Sequence, residues 1–209
     1  MDSEDNPEDV FGSVYDIKNV PDEIRDGREF ATMLNSCGRQ AKQGIGVMLA
    51  LGEYKDAMAA AQKTIASYRR KIVRGLKWVE KNEKNEEKIK DTENTRYLFA
   101  GRSIQDTMIG TISSMIASSN KTDKKYVVGF ANSDNGVKVS VRANAFIKGT
   151  DNVDKILKKL ASVLDVHDIG GHARAGGAKI SKGSEEEFMA SFEENIKNIK
   201  GKKIADNTN

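Results

Sequence analysis

The residues of this sequence best suited to chemistry lie in one glycine-rich stretch, Asp168-Ile169-Gly170-Gly171-His172-Ala173-Arg174-Ala175-Gly176-Gly177-Ala178. Closely spaced glycines let backbone N–H groups converge on an anion, because no Cβ blocks their approach. His172 adds a ring N–H donor, and Arg174 adds a planar guanidinium that suits phosphate. Two interpretations stand: a plain tight turn between a helix and a strand, the commoner use of a Gly-Gly pair, or a phosphate-binding turn.

A second polar group is predicted on one face of a β-strand. The segment 137–142 alternates valine with Lys138, Ser140 and Arg142, so the valines face one side and the polar residues face the other. The polar side chains then lie about 7 Å apart along the strand and can hold a phosphate. An Asn-Gly pair at 135–136 predicts a hairpin just before them, and exposure of an edge hairpin to solvent explains the same pattern.

A third candidate pair, Asn35 and Arg39, falls in a polar, glycine-containing turn predicted around 35–43. Short helices are predicted on either side of it, at about 28–36 and 44–51. Both side chains can reach a phosphate or a base; helix capping by Asn35 and a solvated Arg39 is the equal alternative. Cys37 is predicted to be a small core residue rather than a nucleophile, because no histidine is near it in sequence.

A long helix is predicted over about 53–85 to position these groups. Its apolar residues recur at steps of three and four and form one continuous stripe: Met58, Ala61, Ile65, Tyr68, Ile72, Leu76 and Val79. Basic residues fill much of the remaining surface of its middle: Arg69, Arg70, Lys71, Arg74 and Lys77. They form either a solvated face or the border of a nucleic-acid groove. A Lys/Glu/Asn-rich linker or exposed helix end is expected over 81–94.

The second half alternates strands and helices. Strands are predicted at 96–100, 126–130, 137–142 and 178–180. Helices are predicted after a Ser103 cap, over 152–164 after an Asp151 cap, and after a Ser184–Glu187 capping box. The glycine-rich stretch falls between the 152–164 helix and the last strand. This order predicts an α/β fold, an α+β mixed sheet flanked by helices, preceded by a helical region with one long amphipathic connecting helix.

Composition excludes several classes of protein. The 209 residues are 38% hydrophobic and 31% charged, with a net charge of +3. No apolar run of about 18 residues occurs and the start is acidic, so neither a membrane segment nor a signal peptide is expected. A single cysteine fits a reducing cytoplasm, and two histidines with one cysteine argue against a zinc cluster. Acidic residues concentrate in 1–29 and basic ones in 69–90, which permits a nucleic-acid partner.

Three motifs together resemble the DHH phosphoesterase superfamily. The segment 170–178 is similar to the Gly-Gly-Gly-His-x-x-Ala-Ala-Gly motif of its C-terminal, DHH-associated domain, and 139–142 resembles that domain's strand ending in Ser-x-Arg. Ile109-Gly110 after Arg102-Ser103 matches in placement. The segment 34–39 resembles the Asn-Ala-x-Gly-Arg motif of RecJ-type, especially archaeal, exonucleases. The motifs occur in the family's order, and the resemblance spans about 28–199.

The chain departs from the family in one important respect. The Asp-His-His signature and the other aspartates that hold two metal ions are missing, and the only histidines are His167 and His172. One glycine of the family triplet is also replaced by Ile169 or absent. The resemblance therefore implies the C-terminal part of a RecJ-like protein. Its Mn²⁺ or Mg²⁺ ions would be bound by a lobe outside these residues, and this chain by itself is expected to be inactive.

The resemblance also implies roles and boundaries. Ser140, Arg142, Gly170, Gly171, His172 and Arg174 would bind substrate phosphate, with Arg174 alternatively bracing the loop, while Asn35, Arg39 and Lys138 would contact the nucleic acid. We expect an acidic lead-in at 1–29, a helical region with the connecting helix at 30–94, the DHH-associated domain at 95–200 and a frayed tail at 201–209.

Two functions follow from this resemblance. The first is the substrate-gripping part of a metal-dependent exonuclease acting on single-stranded DNA or RNA in replication and repair. The alternative is a non-catalytic replication-assembly module that binds GINS-type proteins. A small-molecule or dinucleotide phosphodiesterase fits less well, because the 34–39 segment resembles the exonuclease branch.

Overall fold

The computed structural model describes residues 13–119, 122–147, 149–150 and 152–205, with side chains described as far as residue 196. The chain divides into two compact units, Met1–Arg70 and Lys71–Asn209, and each is described by itself. In the part described, no helix combines the length and the apolar character needed to cross a membrane. The expectations for 1–12, for Asp151 and for the end of the tail lie outside the described residues.

The first unit is helical. Helix α1 (Gly27–Arg39) begins at Asp26, whose carboxylate accepts hydrogen bonds from the N–H groups of Arg28 and Glu29. It is followed by α2 (Gln43–Ala50) and by α3 (Tyr54–Asn82), which continues into the second unit. The predicted long helix is thus confirmed, and its stripe supplies part of the core of this unit: Ile24, Met33, Leu49, Ala57, Ala61 and Ile65.

The turn predicted around 35–43 is shorter than expected. Helix α1 continues to Arg39 before the chain turns, so Asn35 lies inside the helix and does not cap it. Met33 and Cys37, four residues apart, are both buried, and their burial on one face holds this segment helical despite its glycine. Burial also raises the pKa of the Cys37 thiol, which agrees with its prediction as a core residue.

The second unit is built on a six-stranded mixed sheet, and the predicted fold class is confirmed. Its strands are β1 (Ile89–Asp91), β2 (Thr95–Gly101), β3 (Tyr126–Ser133), β4 (Gly136–Ala143), β5 (Val166–His172) and β6 (Ala175–Ile180). They follow the spatial order β1-β2-β3-β4-β6-β5. In this sheet β2 and β3 are parallel, and the other neighbouring strands are antiparallel. Gly136, at a φ of 122°, supplies the left-handed turn of the predicted β3–β4 hairpin.

Helices cover the two faces of the sheet differently. Helix α4 (Asp106–Ala117) packs on β3 and β4, whereas α5 (Val153–Leu160) and α6 (Glu185–Ala205) pack together on the other face. The valines of β4 point to the α5–α6 side as predicted and are fully buried there. Aromatic rings complete this core, with the Phe130 and Phe188 centroids 5.8 Å apart in an edge-on arrangement.

Several predicted elements need correction. Residues 81–94 contain strand β1 rather than only a linker. Gln105, not Ser103, is the N-cap of α4. The helix predicted over 152–164 is shorter. It is capped by Asn152, whose side chain accepts a hydrogen bond from the Lys155 N–H.

The largest correction concerns the glycine-rich stretch. It is not a turn between a helix and a strand but a β-hairpin, in which Gly170 faces Gly177, Gly171 faces Gly176 and His172 faces Ala175. The turn itself consists of Ala173 and Arg174. Strand β6 of this hairpin pairs with β4, so β4 is an inner strand of the sheet. The alternative of a solvent-exposed edge for the β3–β4 hairpin is therefore wrong. The glycine motif and the Ser-x-Arg strand are therefore neighbours in one sheet.

Candidate phosphate-binding site

The candidate site residues of the second unit share one side of this sheet, which we call the polar face. Strand β4 contributes Lys138, Ser140 and Arg142. Registered beside them on β6 are Lys179, Gly177 and Ala175, and beyond these on β5 are Gly170 and His172. Because side chains alternate along a strand, all eight residues point to the same side. Helix α4 packs on the part of the sheet formed by β3 and β4. The part of the polar face on β6 and β5, by contrast, includes two exposed residues, Gly170 and His172.

Arg142 is held in one orientation by its neighbours. Its Nε donates to Ser114 Oγ at 2.7 Å, and its Nη1 donates to the carbonyl oxygens of Val141 and Gly176 at 2.8 Å and 2.9 Å. Helix α4 passes close by, since a Cβ at Gly110 would lie 2.8 Å from Arg142 Nη2. The guanidinium is thus a half-buried, pre-oriented cation at the border between α4 and β6.

Ser140 is more deeply buried than Arg142. It is 2% exposed, and a Cβ at Gly110 would lie 3.4 Å from its Oγ. Among the described residues, the hydroxyls of Ser140 and Ser113 have no hydrogen-bond partner. Two unsatisfied buried hydroxyls are costly. The Ser140 hydroxyl lies near Gly110 of α4, as does the Arg142 guanidinium, whereas the Ser113 hydroxyl of α4 lies against Gly129 of β3.

The glycines of the hairpin divide into two groups. A Cβ at Gly176 would lie 2.5 Å from Leu157 Cδ1, and one at Gly171 would lie 2.5 Å from the carbonyl oxygen of Ala175. Gly176 therefore serves packing against α5, and Gly171 allows the two strands of the hairpin to lie close together. Gly170 and Gly177 are on the polar face, and a Cβ at Gly170 would meet nothing within 4 Å. Neither glycine adds a side chain of its own, so the two form a floor on which a ligand can approach the backbone: Gly170 is open, and the Lys138 ammonium lies over Gly177.

His172 stands exposed at the end of β5. Its Nδ1 accepts a hydrogen bond from the backbone N–H of Arg174 at 3.4 Å. In the neutral ring this contact places the proton on Nε2. The Nε2–H is then the group through which this exposed side chain can donate a hydrogen bond.

Two further cations frame the polar face. Lys138 extends over the floor, since its Nζ lies 3.4 Å from the position of a Cβ on Gly177. It forms no ion pair within the part of the chain that is described. Lys179, opposite Lys138 in the register, pairs with Asp168 at 3.2 Å. Lys179 was not predicted from the sequence, although the alternation of β6 from Gly177 onward would have placed it on this face.

Arg174 braces the hairpin. Its Nη2 donates to the carbonyl oxygen of Asn144 at 2.6 Å, and its own carbonyl accepts from the Ala143 N–H at 2.9 Å. These contacts hold the turn against the end of β4, in agreement with the alternative prediction that Arg174 braces the loop. A phosphate-binding role for Arg174 remains a prediction.

Asn35 and Arg39 are not on the sheet but belong to the first unit. They lie four residues apart in α1 and so share one face of that helix. Asn35 is exposed and Arg39 is half-buried. Their contact with nucleic acid remains a prediction about that helix face.

The described residues include no group of three or more His, Cys, Asp or Glu side chains that could hold a metal ion. The polar side chains of this face are Lys138, Lys179, Arg142, His172 and Ser140, which suit an anion and do not fit Mn²⁺ or Mg²⁺. The predicted role of this face in binding a phosphate agrees with these donors.

Comparisons with known proteins agree with this architecture. A sequence model of the DHHA1 domain matches residues 94–198. An uncharacterized protein of Methanocaldococcus jannaschii is 26% identical over 181 residues, covering 85% of this chain and 37% of that protein. The chain thus spans little more than a third of the length of this curated relative.

Solved structures share the fold. RecJ from Thermus thermophilus in complex with Mn²⁺ has a TM-score of 0.60 at 18% identity, over 80% of this chain and 23% of that one. An exonuclease RecJ bound to manganese has a TM-score of 0.54 at 19% identity, over 80% and 39%.

A DHH domain from a member of a family of ribosomal proteins has a TM-score of 0.53 at 16% identity, over 82% of this chain and 42% of that one. The family predicted from the glycine hairpin and the Ser-x-Arg strand is therefore confirmed. The chain belongs to the DHHA1 domain family of the DHH superfamily, and its fold is that of the part of the RecJ structures that it covers.

Proposed function

We propose that this chain is the nucleic-acid-binding portion of a RecJ-like DHH phosphoesterase. It grips the phosphate backbone of single-stranded DNA or RNA while a metal-bearing DHH lobe hydrolyses the strand from its end. The polar face is the observation that carries this proposal. There Lys138 and the oriented Arg142 border a floor made by Gly170 and Gly177, and His172 stands at its rim.

Charge and shape both favour a phosphodiester as the ligand of the polar face. A fixed guanidinium donates to phosphate oxygens with little further loss of side-chain entropy, and Lys138 adds a mobile charge. The open floor admits a backbone, because no side chain of Gly170 or Gly177 obstructs it. Ser140 assists through its buried hydroxyl at the base of the site, and Gly171 keeps the hairpin strands close together.

The proposal assigns a division of labour. In DHH enzymes the divalent ions supply the activated water and the charge stabilisation for phosphoryl transfer. The residues of this chain hold the strand in place for that chemistry, so the reactive phosphate stays in line with the attacking water. On the first unit, the shared face of Asn35 and Arg39 is proposed to contact nucleic acid.

We expect the purified 209-residue chain to bind a short oligothymidylate without cleaving it when Mn²⁺ is added. The physical reason is that the Asp-His-His signature of the family is not among these residues. Gel analysis of an end-labelled oligonucleotide measures cleavage, and fluorescence anisotropy measures binding. Mn²⁺-dependent cleavage that persists through further purification and is lost in Arg142→Ala would belong to this chain and would overturn the division of labour.

A second candidate function, an assembly module for GINS-type replication proteins, is favoured by one surface of the first unit. Val47, Met48 and Leu51 on and just after α2 are 56%, 37% and 75% exposed. Such a cluster on one helix face is typical of a protein contact. Under this proposal, Leu51→Asp abolishes co-elution with purified GINS proteins in gel filtration and Lys55→Asp does not; failure of the parent chain to co-elute would remove the candidate.

A further inference from the structure

We propose a second phosphate-binding site in a cleft beside the start of α4, separate from the polar face. All of its lining residues belong to the second unit, and its polar ones are Lys71, Arg74, Arg102, Ser103 and Gln105. Its volume of about 210 Å³ has room for a phosphate group and several water molecules. Neither the resemblance nor the comparisons assign a ligand to this cleft.

Two glycines bring these residues together. A Cβ at Gly75 would lie 2.8 Å from Ile112 Cδ1, so α3 packs against α4 at a distance that a larger residue would forbid. This contact places Lys71 and Arg74, within about one turn of Gly75, beside the beginning of α4. From the other side, Gly101 has a φ of 52°, and this left-handed turn leads the chain from β2 into Arg102 and Ser103.

The charges of the cleft lack acidic partners among the residues that the structure describes. Within the described part of the chain, Lys71, Arg74 and Arg102 form no ion pair. Arg96 in the same unit, by contrast, pairs with both Asp91 and Glu83. Three unpaired cations around one cleft repel each other, and an anion relieves that repulsion.

The donors of the cleft fit phosphate better than a simple carboxylate. Two guanidiniums offer planar forks, and the Ser103 hydroxyl and Gln105 amide add neutral donors. Gln105 caps α4 without a side-chain hydrogen bond to the helix. The helix dipole adds a modest attraction for negative charge at this end. The nearby Asp106 carboxylate accepts from the Thr107 N–H and is not among the residues that line the cleft.

The cleft and the polar face lie on different sides of α4. Ile112 of this helix faces Gly75, whereas Gly110 faces Arg142. The cleft therefore binds phosphate whether or not the polar face does. Its ligand is a phosphate group of a nucleic-acid strand away from the reactive end, or the phosphate of a free ion or nucleotide; both offer the same oxygens to the same donors.

The test titrates inorganic phosphate, and separately a short oligothymidylate, into the ¹⁵N-labelled chain. The variants are Arg74→Gln and Arg102→Gln. Lys77→Gln is the matched control, because Lys77 is an exposed cation on the same helix that does not line the cleft. We expect amide shifts at Ser103 and Gln105 and affinity about tenfold weaker in each arginine variant, as charged hydrogen bonds to phosphate suggest.

The two arms distinguish the sources of the phosphate. Weaker phosphate binding with unchanged oligonucleotide affinity identifies a site for a free ion or nucleotide. Weaker oligonucleotide affinity, with a salt dependence reduced by about one counterion per arginine, identifies a strand phosphate. The proposal fails if neither probe shifts these amides, or if the arginine variants bind like Lys77→Gln. Arg142→Ala tests the polar face alone, so either site can fail while the other stands.

Discussion

Arg142→Ala is expected to weaken binding of a short single-stranded oligonucleotide by at least about tenfold, since a charged hydrogen bond to phosphate is worth about 1.5–3 kcal/mol. The guanidinium is already oriented by Ser114 Oγ and by two carbonyl oxygens. Its interaction with a phosphate therefore costs little ordering. Fluorescence anisotropy over a series of salt concentrations measures both the affinity and the number of ionic contacts.

The matched control is Lys159→Ala. Lys159 is an exposed cation on α5, the helix that packs on the opposite side of the sheet, so its removal changes the net charge equally. Arg142→Lys keeps the charge but loses the fork, and it is expected to bind with intermediate affinity. Because Arg142 also donates to two carbonyl groups, each variant is first checked for thermal unfolding. Equal affinity of folded Arg142→Ala and Lys159→Ala would contradict phosphate binding by the polar face.

Much of the polar face could be predicted because its signals are local. The alternation at 137–142 correctly predicted that the valines of β4 share one side and that Lys138, Ser140 and Arg142 share the other. It did not reveal that α4 covers Ser140 on the polar side, where this residue is 2% exposed. The Asn-Gly pair correctly predicted the hairpin that begins β4. A local pattern of this kind predicts side-chain orientation correctly because pairing with the neighbouring strands requires the same alternation.

The partners of β4 could not be predicted in the same way. Glycine is disfavoured in strands, so Gly170-Gly171 and Gly176-Gly177 indicated a turn. Their strand conformation comes from long-range pairing with β4. The same pairing places Lys179 beside Lys138; the alternation of β6 indicates the side on which Lys179 lies, but not that Lys138 is its neighbour. Strand β1 was missed for a related reason: it is a three-residue edge strand with charged residues that resemble a linker.

The error in the first unit has a different origin. Asn35 and Gly38 both favour turns, yet α1 continues past them, because Met33 and Cys37 are buried on one side. Tertiary burial thus outweighed local turn preference. Asn35 and Arg39 remain together on a helix face, so the proposed contact with nucleic acid survives the correction of the turn.

The two groups of hairpin glycines differ in what an added side chain would contact. Gly176 is assigned to core packing and Gly170 to the binding surface on this ground. At Gly176, a Cβ would lie 2.5 Å from Leu157 Cδ1 and 3.0 Å from Val153 Cγ1, both on α5. These residues belong to the main core, where little space is available for displacement. At Gly170, on the opposite side of the hairpin, a Cβ meets nothing within 4 Å. Neither glycine has a positive φ, so steric contact decides the outcome.

Gly176→Val is therefore expected to destabilise the second unit by about 3 kcal/mol, at the upper end of the usual cost of overpacking a core. Gly170→Val is expected to change stability by less than about 0.5 kcal/mol, as surface substitutions usually do. It should nevertheless weaken oligonucleotide binding, because a branched side chain would rise from the open floor. Urea unfolding and anisotropy measure the two effects. Unchanged stability of Gly176→Val would contradict the packing of α5 against β6, and unchanged binding by Gly170→Val would show that the backbone of the strand does not cross this floor.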